Sequence, residues 1–165
     1  GKLIDDLITA CDQAIEFKAG PKIRSVLGER GHINVTSYNR MVLITGEVPA
    51  DADRATVEQA VASIENVRST VNETAVMGAA SLTARSNDSI ISGKVKAALV
   101  DDGEIQATAI KVVTERAVVY LMGRVTEREA AKASQVASAV SGVSKVVRVF
   151  ETITEAELQA WQAKH

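Results

Sequence analysis

Residues 110–125, I-K-V-V-T-E-R-A-V-V-Y-L-M-G-R-V, repeat the pattern of residues 33–48, I-N-V-T-S-Y-N-R-M-V-L-I-T-G-E-V, 77 positions further along the chain. Ile, Val, Gly and Val coincide without a gap. Each stretch carries Val, Ile, Leu and Thr on either side of a polar centre, Tyr38-Asn39-Arg40 in one and Glu115-Arg116 in the other. That pattern predicts a β-hairpin in each, with strands at 33–37 and 41–48 and at 110–114 and 118–125.

Two further matches extend the repeat. On the C-terminal side, Val57, Ala60, Val61 and Ile64 are answered by Ala133, Val136, Ala137 and Val140, 76 positions on. These are i, i+3, i+4, i+7 sets, so each places four apolar side chains on one helical face. On the N-terminal side, Lys22-Ile23-Arg24-Ser25-Val26-Leu27 aligns with Lys94-Val95-Lys96-Ala97-Ala98-Leu99, 72 positions on. The larger offset further along is then attributed to the connection 100–109, five residues longer than 28–32, because insertions belong in loops. Stretches 67–76 and 143–153 supply third strands.

Each copy therefore reads helix, strand, strand, helix, strand. The expected fold class is α+β, with two tandem αββαβ units, each a three-stranded mixed sheet covered on one face by two helices. The expected divisions are a lead-in at 1–21, a first unit at 22–76, a linker at 77–89, a second unit at 90–153 and a C-terminal helix at 154–165. The Gly20-Pro21 pair marks the end of the lead-in, and M-G-A-A-S-L-T-A-R-S-N-D-S at 77–89 has no period. Thr126 with Glu129, and Thr154 with Glu157, form capping boxes that start helices. Asp51 or Asp53 is expected to cap the corresponding helix of the first copy. Gly46 and Gly123 recur inside strands, where glycine normally weakens pairing. A bulge or a close approach of helix backbone to the sheet accounts for them.

Composition narrows the function classes without choosing one. Among 165 residues, 46% are hydrophobic and 24% charged, and 19 Lys+Arg against 21 Asp+Glu give a net charge of −2. The chain has the composition of a folded protein and no global positive field to gather nucleic acid. One Cys excludes an internal disulfide framework, two His make a His-rich zinc site improbable, and no apolar run approaches a membrane span. His32 falls in an expected loop and His165 ends the sequence, so no nucleophile–base arrangement is foreseen. Asp101-Asp102-Gly103-Glu104 lacks the ligand spacing of a calcium loop and is taken as a solvated turn. The expectation is no enzyme, no cofactor and no metal.

Helix, hairpin, a glycine in the second strand and a helix ending in Gly-Val-x-x-Val together resemble the BON domain. The second copy shows Gly142-Val143-Ser144-Lys145-Val146, and the first shows Asn66-Val67 with Asn where Gly is common, a residue that tolerates the same left-handed backbone. The tandem layout resembles the outer-membrane lipoproteins with two BON domains that are associated with cell division and envelope integrity. The resemblance implies a periplasmic, outer-membrane-associated, lipid-anchored protein that binds phospholipid and is not catalytic. Ile8-Thr9-Ala10-Cys11 has the residue types that precede a lipidated Cys. Only ten residues precede Cys11, however, two of them Asp, so it is taken as an unpaired thiol in a mature or trimmed form.

The candidate lipid-contacting segment is Ser89, Ile90, Ile91, Lys94, Lys96 and Ala97. Ile91, Val95 and Ala98 form an inward stripe, which leaves Ile90 outward beside Lys94. Lys22 and Arg24 of the supposed equivalent stretch 16–25 lack such an apolar partner. Trp161, on one face with Leu158, is a further candidate for the membrane interface. Two lysines at about 1 kcal/mol each and a buried Ile at about 2 kcal/mol give roughly 4 kcal/mol, a dissociation constant near 1 mM. Binding of that strength requires tethering at the surface. The second functional reading is a protein–protein scaffold or regulator in envelope assembly or cell-wall remodelling, using sheet edges or the interdomain groove.

Overall fold

The computed structural model describes residues 2–78 and 82–164, without the side chains of Lys2, Leu82, Thr83, Leu158 and residues 161–164. The chain divides into two compact units, Gly1–Ala80 and Ser81–His165. The first contains helix α1 (Lys2–Leu27), strands β1 (His32–Tyr38) and β2 (Met41–Val48), helix α2 (Asp51–Ala62) and strand β3 (Ser69–Val76). The second contains α3 (Leu82–Asp101), β4 (Ile110–Glu115), β5 (Val118–Thr126), α4 (Glu127–Ser138), β6 (Lys145–Ile153) and the terminal helix α5 (Glu155–Lys164).

Both units have the expected αββαβ order. The first sheet runs β1-β2-β3 and the second β4-β5-β6. In each, the hairpin is antiparallel and the third strand lies parallel to the second, returned there by the intervening helix. On the helix-covered face, Val42, Ile44 and Val48 of β2 and Val119, Leu121 and Val125 of β5 alternate as the period of a strand requires. They meet Val57 and Val61 of α2 in one unit and Ala130, Ala133 and Ala137 of α4 in the other.

Gly46 and Gly123 belong to that same alternation and explain themselves by backbone geometry. Their φ values are +118° and +153°, and a Cβ would lie 2.0 Å from the carbonyl oxygen of His32 and 2.2 Å from that of Ala109. For Gly46 the close neighbour is the first residue of β1, and for Gly123 it is the last residue of a short 3-10 turn, Ala107–Ala109, that leads into β4, so neither glycine is approached by an α-helix. Gly46 pairs with Ile33 and Gly123 with Ile110, so the same device sits at the same register in both copies. Asn66 and Gly142 also share a left-handed backbone, with φ of 76° and 95°.

Several boundaries differ from the sequence expectation. Residues 1–21, expected as a short helical or irregular lead-in, are not separate from the first unit, because helix α1 is continuous from Lys2 through Gly20 and Pro21. Ile15, Ala19, Ile23 and Leu27 recur every four residues and are all buried against the first sheet, and that packing outweighs the local Gly-Pro stop signal. The stretch 77–89 is not irregular throughout, since α3 begins at Leu82. His32 opens β1 instead of lying in a loop, with Nδ1 3.7 Å from Glu47.

The capping expectations divide. Thr126 and Glu129 form the reciprocal box, and Glu157 N–H bonds Thr154 Oγ1 at 3.0 Å while Glu157 reaches back to the Thr154 amide. By contrast α2 has Ala50 at its N-cap without a side-chain cap. Asp51 and Asp53 lie in its first turn, where carboxylates favour the helix dipole, and Asp53 is engaged by Arg30 at 3.2 Å. Asp102 folds its turn by accepting the Glu104 amide at 3.0 Å and pairs with Lys132 at 3.6 Å.

Candidate functional face on the first helix of the second unit

A side chain in the supposed linker fixes the position of α3. Asp88 is buried, and its two carboxylate oxygens accept the amide protons of Arg116 and Ala117, each at 2.8 Å. These two residues form the β4–β5 turn and have φ of 51° and 63°, the left-handed pair of a tight hairpin. In the first unit Asp12 does the same, accepting from the amides of Asn39 at 2.9 Å and Arg40 at 2.8 Å and from the Ser37 hydroxyl at 2.7 Å. Each unit thus ties its first helix to its hairpin turn through one carboxylate.

The two aspartates correct the register of the repeat. Asp12 and Asp88 are 76 positions apart, as are Ile15 and Ile91, Ala19 and Val95, and Ile23 and Leu99, all buried against their sheets. The helices therefore correspond at 76 and not at 72. A slip of four residues is close to one helical turn, so it superposes the same face on itself and preserves the basic and apolar pattern. The counterpart of residues 88–97 is 12–21.

With α3 anchored by Asp88, Ile91, Val95 and Leu99, the opposite side faces out. Ile91 was among the candidate contact residues, but it is 1% exposed and belongs to the core. Ala98 is only half-buried, and Leu99 takes the inward place expected of it. Ile90 is 57% exposed, and Ser89, Lys94, Lys96 and Ala97 are exposed with it. Val100, beyond the expected contact segment, is 68% exposed.

Positions 90, 93, 97 and 100 follow helical spacing, so Ile90, Gly93, Ala97 and Val100 make one apolar ridge. Lys94 flanks it on one side and Lys96 on the other. Ser92 steadies the helix from the inner side, its hydroxyl 2.7 Å from that of Thr114 on β4. The side chains of Trp161, the second membrane candidate, and Leu158 lie outside the described residues.

The corresponding ridge of the first unit is Ala14, Phe17, Pro21 and Arg24, with Lys18 in the place of Lys94. Phe17 is 84% exposed, so the first helix does carry an outward apolar side chain beside a lysine. Cys11, expected in a short helical or irregular lead-in, is a half-buried residue of the long helix α1. No helix among the described residues is long and apolar enough to cross a membrane.

Comparison with known proteins places these features in a family. The BON domain family matches residues 20–78 and again 87–154. The chain is 34% identical over 142 residues to the outer membrane lipoprotein DolP of Haemophilus influenzae, covering 85% of this chain and 74% of that protein. It is 33% identical over 127 residues to a 21 kDa hemolysin of Actinobacillus pleuropneumoniae, covering 77% and 66% respectively. Over 61 residues it is 48% identical to the osmotically-inducible protein Y of Escherichia coli, which covers 36% of this chain and 30% of that one. Two family matches over most of the sequence, falling on the two αββαβ units, establish that the chain belongs to the BON-domain family as a tandem pair.

Proposed function

We propose that this chain is a non-catalytic, periplasmic, outer-membrane-associated protein that binds anionic phospholipid through α3 and thereby supports outer-membrane integrity. The observation that carries this reading is the outward ridge of Ile90 and Val100 flanked by Lys94 and Lys96, on a helix whose other side is committed to the core. An apolar ridge can enter the headgroup region while lysines at its margins meet lipid phosphates. The naming of a 34% identical relative as an outer membrane lipoprotein supports the location.

The magnitudes fit a tethered contact. Adding Val100 to Ile90 and two lysines raises the total to about 5–6 kcal/mol, a dissociation constant of order 100 μM. Contact of that strength becomes persistent when a lipid anchor supplies a high effective concentration at the bilayer.

The test uses the full chain held through a His-tag on vesicles containing nickel-chelating lipid, with phosphatidylglycerol or phosphatidylcholine as the remainder. Amide shifts and protection over 89–100 are expected with phosphatidylglycerol and not with phosphatidylcholine, and Ile90→Asp with Lys94→Glu should abolish them. Equal behaviour of wild type and variant, or equal response to both lipids, removes the lipid reading and favours a protein partner.

A further inference from the structure

A separate feature of the first unit lies between α1 and the end of α2. Phe17, Pro21 and Ile64 form the apolar wall of an open groove of about 470 Å³, with Lys18, Lys22 and Ser63 along it. That size is within the range of small-molecule clefts. Lys22 Nζ donates to Ser63 Oγ at 2.6 Å, joining the two helices across the groove. Glu65 also lines it, so two ammonium groups and one carboxylate leave a net positive charge. Pro21 has no N–H, which denies the Phe17 carbonyl its usual donor four residues on. Phe17 itself is 84% exposed, an unusual position for a ring with neither a polar tip nor a covering neighbour.

We infer that this groove is a binding site for one single-chain anionic amphiphile, with the acyl chain against Phe17, Pro21 and Ile64 and the phosphate toward Lys18 and Lys22. Charge complementarity selects an anionic head, and the apolar wall selects a chain. The volume selects the source: about 470 Å³ has room for one acyl chain, so the occupant is a single molecule detached from the bilayer. The site is independent of the α3 contact, because it stands on different residues in the other unit.

The experiment is a titration of the full ¹⁵N-labelled chain with lysophosphatidylglycerol below its critical micelle concentration, with lysophosphatidylcholine and inorganic phosphate as parallel arms. Saturable amide shifts are expected at 17–25 and 63–65, with lysophosphatidylglycerol bound about tenfold more tightly than lysophosphatidylcholine and phosphate alone giving no saturation. Phe17→Ser and Lys18→Glu, both on exposed positions, should each weaken binding about tenfold without moving the melting temperature. Ile90→Asp should leave this titration unchanged, which separates failure of the groove from failure of the α3 reading. Shifts confined to 89–100, no saturation with lysophosphatidylglycerol, or an unchanged affinity in Phe17→Ser would overturn the assignment.

Discussion

Asp88 Oδ1 accepts the amide proton of Ala117 at 2.8 Å, and that residue holds a left-handed backbone with φ of 63°. A left-handed alanine is strained by about 1–2 kcal/mol, so the carboxylate compensates for a conformation the sequence does not otherwise favour. Asp88→Ala should destabilise the second unit by about 2–4 kcal/mol, since it removes two charge-assisted bonds and leaves the turn amides unpaired. Asp12→Ala should do the same to the first unit. Thermal unfolding followed by unit-specific amide signals checks both, and a loss of under about 1 kcal/mol in each would show that the turns hold themselves.

Gly46 and Gly123 give a second paired prediction. Alanine at either position would force a Cβ into the backbone of the chain entering the hairpin, at 2.0 Å from His32 O or 2.2 Å from Ala109 O. Backbone cannot swing aside as a side chain can, so the loss should exceed about 3 kcal/mol at each site. Valine should be worse. Melting curves of Gly46→Ala and Gly123→Ala that match wild type would contradict the geometry.

Truncation tests the continuity of α1. Removing residues 2–11 takes away the exposed Leu3, Ile4 and Leu7 but spares Asp12, Ile15 and Ala19. The first unit should keep a cooperative transition. Removing residues 2–21 deletes Asp12, Ile15 and Ala19 together, which should cost more than about 5 kcal/mol and unfold that unit at 25 °C. Amide dispersion of the first-unit resonances distinguishes the two outcomes.

The hairpins, the α2 and α4 faces and the two threonine caps were legible because each rests on a local pattern, a period of two or 3.6 or a cap three residues from its partner. The N-terminal half of α1 and the start of α3 were not. Gly20-Pro21 within α1 and Ser86-Asn87-Asp88-Ser89 within α3 carry the composition of a break, which core packing and contacts with distant hairpin residues outweigh. Asp12 and Asp88 illustrate the difficulty, since their partners lie 25–29 residues away. Of the contact face, Ile90 and Lys94 were readable from helical spacing. Val100 is not legible in this way, because it follows the buried Leu99 at the end of an apolar run, and only the register set by Asp88 turns it outward.

Val100 offers the sharpest test of that ridge, because it lies ten residues from Ile90 and on the same face. If both side chains enter the headgroup region, Val100→Asp and Ile90→Asp should each weaken binding of the untethered chain to phosphatidylglycerol vesicles by about tenfold, since each variant replaces apolar burial with a repelled charge. Both positions are exposed, so stability should change by less than about 1 kcal/mol. Ile91→Asp is the contrasting control: its side chain is 1% exposed, and the variant should unfold the second unit. Raising salt from 50 to 500 mM should weaken wild-type recruitment, and Lys94→Glu should flatten that dependence. Vesicle co-sedimentation and melting curves measure these quantities together, and a Val100→Asp variant that binds like wild type would restrict the contact to the first turns of α3.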